Sequence, residues 1–240
     1  ANPDNEAFGR VVEARMQKGR GTVCTVLVQE GTLKKGDYIV CGNNYGRVRA
    51  MANDLGETMT EAGPSTPVEV IGLGGIPGAG EGFHVVKNER DAKRVVAARA
   101  DKARAASSKP KVQDPMELLA AFSQPDKEVQ NVILKTDVSG SYEALKAALE
   151  QLATDEVEVK ILHGGVGTIT ESDVDLALAS DAAILSFNAE FESKAKRSAE
   201  RSELAVLKYS IIYEMLDAVK DLMSGLLSPE TVEEFLGKVE

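Results

Sequence analysis

Residues 8–29 read Phe8-Gly9-Arg10-Val11-Val12-Glu13-Ala14-Arg15-Met16, then Gln17-Lys18-Gly19-Arg20-Gly21, then Thr22-Val23-Cys24-Thr25-Val26-Leu27-Val28-Gln29. Two runs of strand-forming residues flank a turn that carries two glycines and two cations. In the second run Val23, Thr25, Leu27 and Gln29 alternate with Cys24, Val26 and Val28, so a largely apolar face is available to a core. Glycine supplies the positive φ that a tight hairpin needs. The stretch predicts a β-hairpin.

The same grammar continues on its C-terminal side. Residues 31–37 form a turn region, 38–41 a third strand, and Asn43-Asn44 turns the chain into a fourth at 46–51. There Arg47 and Arg49 share a face and Val48 points the other way. Residues 67–73 and 82–86 supply two more strands. Fifteen of the 21 glycines fall in residues 1–88, which marks that part as turn-rich. Six short strands at this spacing predict a closed barrel without free edges.

Residues 89–128 read as a connector. A helix is expected over 89–106, with Ala92, Val95, Val96 and Arg99 as a narrow packing stripe. Residues 107–114 read as a hinge, and a short helix from Pro115 to about Phe122 follows. Residues 129–208 alternate strands (131–136, 157–163, 182–187, 204–209) with helices (141–153, 171–179, 193–203). That alternation predicts a four-stranded parallel sheet covered on both faces. Residues 209–240 carry a long exit helix over 211–226, then an acidic tail from 230. The expected fold class is thus multidomain: an N-terminal all-β barrel followed by an α/β/α layer.

Composition narrows the function. The net charge of −10 divides as −1 for residues 1–88, +2 for 89–128 and −11 for 129–240. Two cysteines without paired Cys/His spacing argue against a disulfide framework or structural zinc, and read as reduced thiols of a cytosolic protein. No apolar run approaches the ~20 residues of a membrane helix. The polar start has no signal-peptide pattern, and its lack of an initiator methionine suggests processing or excision. The expected location is cytoplasmic.

The P-loop pattern G-x-x-x-x-G-K-[ST] is absent, and so is a G-x-S-x-G elbow. Two segments resemble phosphate cradles: Asp137-Val138-Ser139-Gly140-Ser141, and His163-Gly164-Gly165-Val166-Gly167-Thr168. The blander reading, tight βα turns with Ser141 as a helix cap, is preferred. His163 is expected to be structural, Cys24 and Cys41 to be core thiols, and the pairs Glu156/Glu158 and Asp173/Asp175 to be solvated charges. No metal or catalytic residue is expected. Lys18, Arg20, Lys34, Lys35, Arg47 and Arg49 form three cationic pairs in the barrel. Gathered at one end, they would suit a phosphate backbone, with glycines allowing close approach. Ordinary surface charge is the alternative.

Longer matches add to this. Gly9-Arg10-Val11-Val12-Glu13-Ala14-Arg15, Lys18-Gly19-Arg20-Gly21-Thr22-Val23, Gly31-Thr32-Leu33-Lys34-Lys35-Gly36-Asp37 and Tyr45-Gly46-Arg47-Val48-Arg49-Ala50-Met51 closely resemble the second domain of bacterial translation initiation factor two. Ile133-Leu134-Lys135-Thr136-Asp137-Val138-Ser139-Gly140-Ser141 and Ile161-Leu162-His163-Gly164-Gly165-Val166-Gly167-Thr168 resemble its third domain. Phe187-Asn188-Ala189-Glu190-Phe191 departs from the Asn-Val-Arg-Pro-like stretch expected there.

The resemblance implies a multidomain GTPase factor, here without its GTPase domain upstream or its initiator-tRNA domain downstream. GTP and Mg would belong to the full-length protein, and this chain would hold no cofactor. The implied role is non-catalytic: the barrel touches the small ribosomal subunit and its rRNA, and the α/β part couples the GTPase domain to the initiator-binding domain. Other initiation factors are further implied partners; no membrane is. The alternative is a flavodoxin-like enzyme binding a nucleotide or phosphate at Gly140 or Gly164–Gly167. Another translational GTPase is disfavoured by the stretch at 164–172.

Overall fold

The computed structural model describes residues 2–107, 127–154 and 156–226. The expected hinge beyond residue 107, the helix at 115–122 and the acidic tail from 230 lie outside these residues.

The first unit contains β1 (Phe8–Gln17), β2 (Gly21–Glu30), β3 (Leu33–Lys34), β4 (Tyr38–Cys41), β5 (Asn44–Ala52), β6 (Thr58–Met59), β7 (Glu61–Ala62), β8 (Pro67–Leu73) and β9 (Gly82–Val86). Neighbours run β4-β9-β1-β2-β8-β5, and β5 pairs back onto β4. Six antiparallel strands therefore close into a barrel, as the spacing predicts. Alternation fills it: Cys24, Val26 and Val28 of β2, Val48 and Met51 of β5, Val68 and Val70 of β8 and Phe83 of β9 are buried together. The turn region at 31–37 also holds β3, which pairs with β7 as a small separate ribbon.

Strand β1 carries an irregularity. The β1–β2 register shifts between Val11 and Glu13, leaving Val12 as the extra residue of a β-bulge. Val11 and Ala14 therefore both face the core, while Val12 stays exposed. The bulge turns Glu13 away from the barrel.

Helix α1 (Glu89–Ser107) lies against β4, β5 and β9. Asn88 starts it, its side-chain oxygen accepting from the Asp91 amide at 2.9 Å. Ala92 is fully buried, and Arg99 donates to the Gly42 carbonyl at 2.6 Å. The predicted stripe is the docking face.

The second unit runs β10 (Glu128–Thr136), α2 (Ser139–Glu150), β11 (Val157–Val166), α3 (Glu171–Ala179), β12 (Ala183–Phe187), α4 (Ser193–Arg201), β13 (Val206–Tyr209) and α5 (Ile212–Leu226). The sheet order is β11-β10-β12-β13, and every pairing is parallel. Its two faces have separate cores. Val132, Leu134 and Leu185 pack with Leu145, Leu149, Met215 and Val219 of α2 and α5. Ile133 and Ile184 pack with Val174, Ala177, Ala195 and Ala199 of α3 and α4. Consecutive strand residues thus serve opposite faces, which is why these strands read as continuous apolar runs.

Candidate functional site

Barrel closure sorts the six cations into two groups. Arg47 and Arg49 project from β5, with Val48 buried between them. The Lys34–Asp37 turn sits beside them: the Lys34 amide donates to Asp37 Oδ2 at 2.9 Å, and Arg47 Nε donates to the Gly36 carbonyl at 3.0 Å. The Arg47 guanidinium also lies 5.7 Å from the Tyr38 ring centroid, which orients it. Lys34, Lys35, Arg47 and Arg49 line one depression of about 710 Å³, and Glu61 is the only carboxylate among its lining residues. Gly36 also lines it. Four positive charges, that of Arg47 held in place, around an open depression can hold a polyanion without reading its sequence.

Lys18 and Arg20 sit elsewhere, at the exposed tip of the β1–β2 hairpin, with Arg20 bonded to the Gln17 side chain at 3.2 Å. Lys18 lines a different cleft of about 700 Å³, whose far wall is Thr168 and Phe191–Lys194 of the α/β unit.

Ligands of open parallel sheets sit beyond the strand C-termini, where the chain departs to opposite faces. Here that place lies between β10 and β12, and strand β1 of the barrel packs beside it, against the loop that follows β10. Arg15 bridges Val138 main chain to main chain. Glu13 Oε1 accepts from Ser139 Oγ at 3.0 Å and from the Gly140 amide at 3.1 Å. Ser139 is buried and begins α2, whose N-cap Val138 offers no side-chain cap. Ser141 therefore does not cap this helix: α2 starts two residues earlier, and its cap is a carboxylate from the barrel. The first phosphate cradle is filled by a protein anion.

The second cradle is not a loop. His163–Val166 continue β11 and pair with Ile133–Thr136. Gly164 is required there because a Cβ would run into the Tyr142 ring of α2. Only Gly167, at φ +115, makes the turn. With one cradle plugged and the other a strand, the flavodoxin-like phosphate enzyme has no support.

Asp173 departs from the expectation of a solvated charge. Its side chain is 5% exposed and lies 3.0 Å from Lys135 Nζ, itself 10% exposed. The Thr170 amide and hydroxyl donate to Asp173 Oδ2 at 2.8 and 2.9 Å, completing a capping box at the start of α3. Burial raises the Asp173 pKa, but the Thr170 and Lys135 hydrogen bonds outweigh it and hold the carboxyl below the ordinary range. His163 Nε2 stands 3.6 Å from Asp173 Oδ1 while remaining half-exposed. The cluster ties β10, β11 and α3 together. The Thr170-Glu171-Ser172-Asp173 spacing carries the capping-box signal; the pairing with Lys135 has no sequence signal beyond a lysine inside an apolar run.

Cys24 and Cys41 are buried free thiols, as expected. Burial pushes each to about 12, aided at Cys24 by Cys41 and at Cys41 by Glu81. The thiolate is the reactive form, so at pH 8 roughly one thiol in ten thousand is ionised. Folded protein should therefore leave both unlabelled by an aromatic disulfide reagent at pH 8, and denatured protein should label two. Rapid labelling without denaturant would show that the barrel opens.

Comparisons with known proteins agree with this architecture. Residues 6–86 match the family model described as elongation factor G domain 2, and residues 102–220 match that of translation-initiation factor 2. The chain is 49% identical over 244 residues to translation initiation factor IF-2 of Moorella thermoacetica, covering all of this chain and 27% of that protein. It is 49% identical over 238 residues to IF-2 of Francisella tularensis subsp. tularensis, covering 98% of this chain and 28% of that one. The crystal structure of GDP-bound aIF5B from Aeropyrum pernix superposes with a TM-score of 0.51 at 22% identity, over 94% of this chain and 38% of that chain. The two family models and the 49% identical relatives place the chain among translation factors. The chain belongs to the translation initiation factor 2 family, and it spans little more than a quarter of the length of the relatives named here.

Proposed function

We propose that this chain is a non-catalytic, ribosome-binding and coupling region of an initiation factor that promotes initiator-tRNA binding to the small subunit. In this reading the barrel meets small-subunit rRNA through Lys34, Lys35, Arg47 and Arg49, with Lys18 and Arg20 as a separate, secondary contact. The α/β unit and α5 carry the position of the barrel and its GTPase neighbour toward the initiator-binding end. The chain itself holds no nucleotide or metal; GTP and Mg belong to the GTPase portion of the full-length protein. Its place is the cytoplasm, and no helix among the described residues is long and apolar enough to cross a membrane.

The observation that carries this is the convergence of four cations on one depression in a chain of net charge −10. Binding to purified small subunits tests it. Lys34→Glu with Arg47→Glu is expected to weaken binding by about tenfold or more at moderate salt and to flatten the salt dependence. Lys18→Glu with Arg20→Glu should weaken it less. Unchanged affinity in both double variants would remove the barrel from the interface.

A further inference from the structure

We infer that Glu13 is the plug of a socket in the α/β unit, and that its seating sets whether barrel and sheet move as one body. The inference deepens the coupling reading and depends on it for its biological meaning, but the joint can be tested by itself.

The socket has the parts of an anion site. It lies beyond the C-terminal end of β10, at the start of a twelve-residue helix that lacks a cap of its own. A buried serine hydroxyl and a main-chain amide converge on one point, and an anion is bound there: the Glu13 carboxylate. The contact is charge-assisted and sits where the helix dipole favours negative charge. Ser139 Oγ also accepts from the Ala14 amide at 3.2 Å, so serine and strand hold each other in both directions.

The plug is built into the barrel. Without the bulge at Val12, strict alternation would place Glu13 and Val11 on the same face, toward the core. The bulge spends one residue of β1 to aim a carboxylate outward. The surrounding surface leaves room for it. A Cβ on Gly140 would come 3.1 Å from Glu13 Oε2, and one on Gly167 would come 3.2 Å from Met16 Cβ. Small residues on the socket side face the two β1 residues that enter it.

Seated, the plug completes the α2 cap. Unseated, it leaves Ser139 and the Gly140 amide without that acceptor, and both solvate. The bonds that separate the two states are few: two to the Glu13 carboxylate, the Ala14 amide to Ser139 and the Arg15–Val138 bridge, a number that suits a joint that opens and recloses. Glu13 is thus a positioning residue for the whole α/β unit.

The test uses the full chain with one dye on the barrel and one on the α/β unit, read by single-molecule energy transfer, together with amide hydrogen exchange at Gly140. Glu13→Ala should raise Gly140 exchange about tenfold or more and broaden the inter-dye distance distribution. Glu13→Gln should lie between it and the parent. Ser139→Ala, which leaves the barrel sequence untouched, should move both readouts in the same direction. Exchange and distances unchanged in folded Glu13→Ala protein would overturn the inference. So would a Glu13→Ala chain that merely loses barrel stability while Ser139→Ala changes nothing. Ribosome affinity enters neither readout, so a failure of the proposed function and a failure of the plug are separable.

Discussion

Asp173→Ala is expected to cost about 3–5 kcal/mol of folding stability, because it strands a buried ammonium. Lys135 sits in the central strand β10, between Gly165 of β11 and Ser186 of β12. Its Nζ has Asp173 as its ion-pair partner, and both side chains are nearly excluded from solvent. Removing the carboxylate also deletes the capping box of α3, worth typically about 1 kcal/mol on its own. Lys135→Met in the same background should recover part of the loss, since the uncompensated charge goes with it. Chemical denaturation of the single and double variants measures this directly. A single-variant loss below about 1 kcal/mol would mean that water reaches the pair.

The same carboxylate sets an acid limit. Its folded-state pKa lies below the ordinary aspartate value of about 3.9, so the stability it contributes is fully present above that value. It is lost as pH falls through the lower folded value. Asp173→Asn should therefore flatten the decline of stability below about pH 4 while lowering the plateau at neutral pH.

Gly72→Ala is the second large effect, and it acts in the barrel. Gly72 has φ +135, in a region that L side chains avoid, and a Cβ there would overlap the Arg47 carbonyl oxygen. Across the same seam, a Cβ on Gly46 would overlap the Gly72 carbonyl oxygen, and the β5–β8 register shifts between Gly46 and Ala50. The two glycines allow β5 and β8 to close together at the bend that completes the barrel. Strain and overpacking together should cost roughly 2–5 kcal/mol, seen as a lowered denaturation midpoint. Because Arg47 and Arg49 flank this seam, the proposed polyanion binding should fall with it. Gly56→Ala is the control, as its Cβ would meet nothing within 4 Å, so only its positive φ is penalised. Equal losses at the two positions would show that backbone conformation, not close approach, decides the cost.

Periodicity carried most of the fold. Period-2 runs marked β2, β5 and β8, and continuous apolar runs broken by helical stretches marked the parallel sheet, because each signal is local. What escaped was set by neighbours distant in sequence. The bulge at Val12 leaves no mark in a run as uniformly strand-forming as 8–16. Gly164 and Gly165 look like loop residues, yet they continue β11, because the Tyr142 ring of α2 occupies the space a side chain would take. Ser141 looks like a cap because nothing local shows that Glu13, 126 residues before Ser139, fills that role. Asp173 looks solvated until Lys135 is placed opposite it. The six cations were visible as residues, but which of them share a surface depended on how β3, β5 and the hairpin tip are arranged around a closed barrel.

Closure has a last effect, on self-association. Each of the six barrel strands has a neighbour on both sides, whereas among the described residues the parallel sheet ends at β11 on one side and at β13 on the other. Among the described residues, backbone-mediated sticking between copies would therefore start from those two margins. The longer one, Val157–Val166, carries an exposed Lys160 at mid-strand, the kind of charged gatekeeper that blunts amyloid-like stacking.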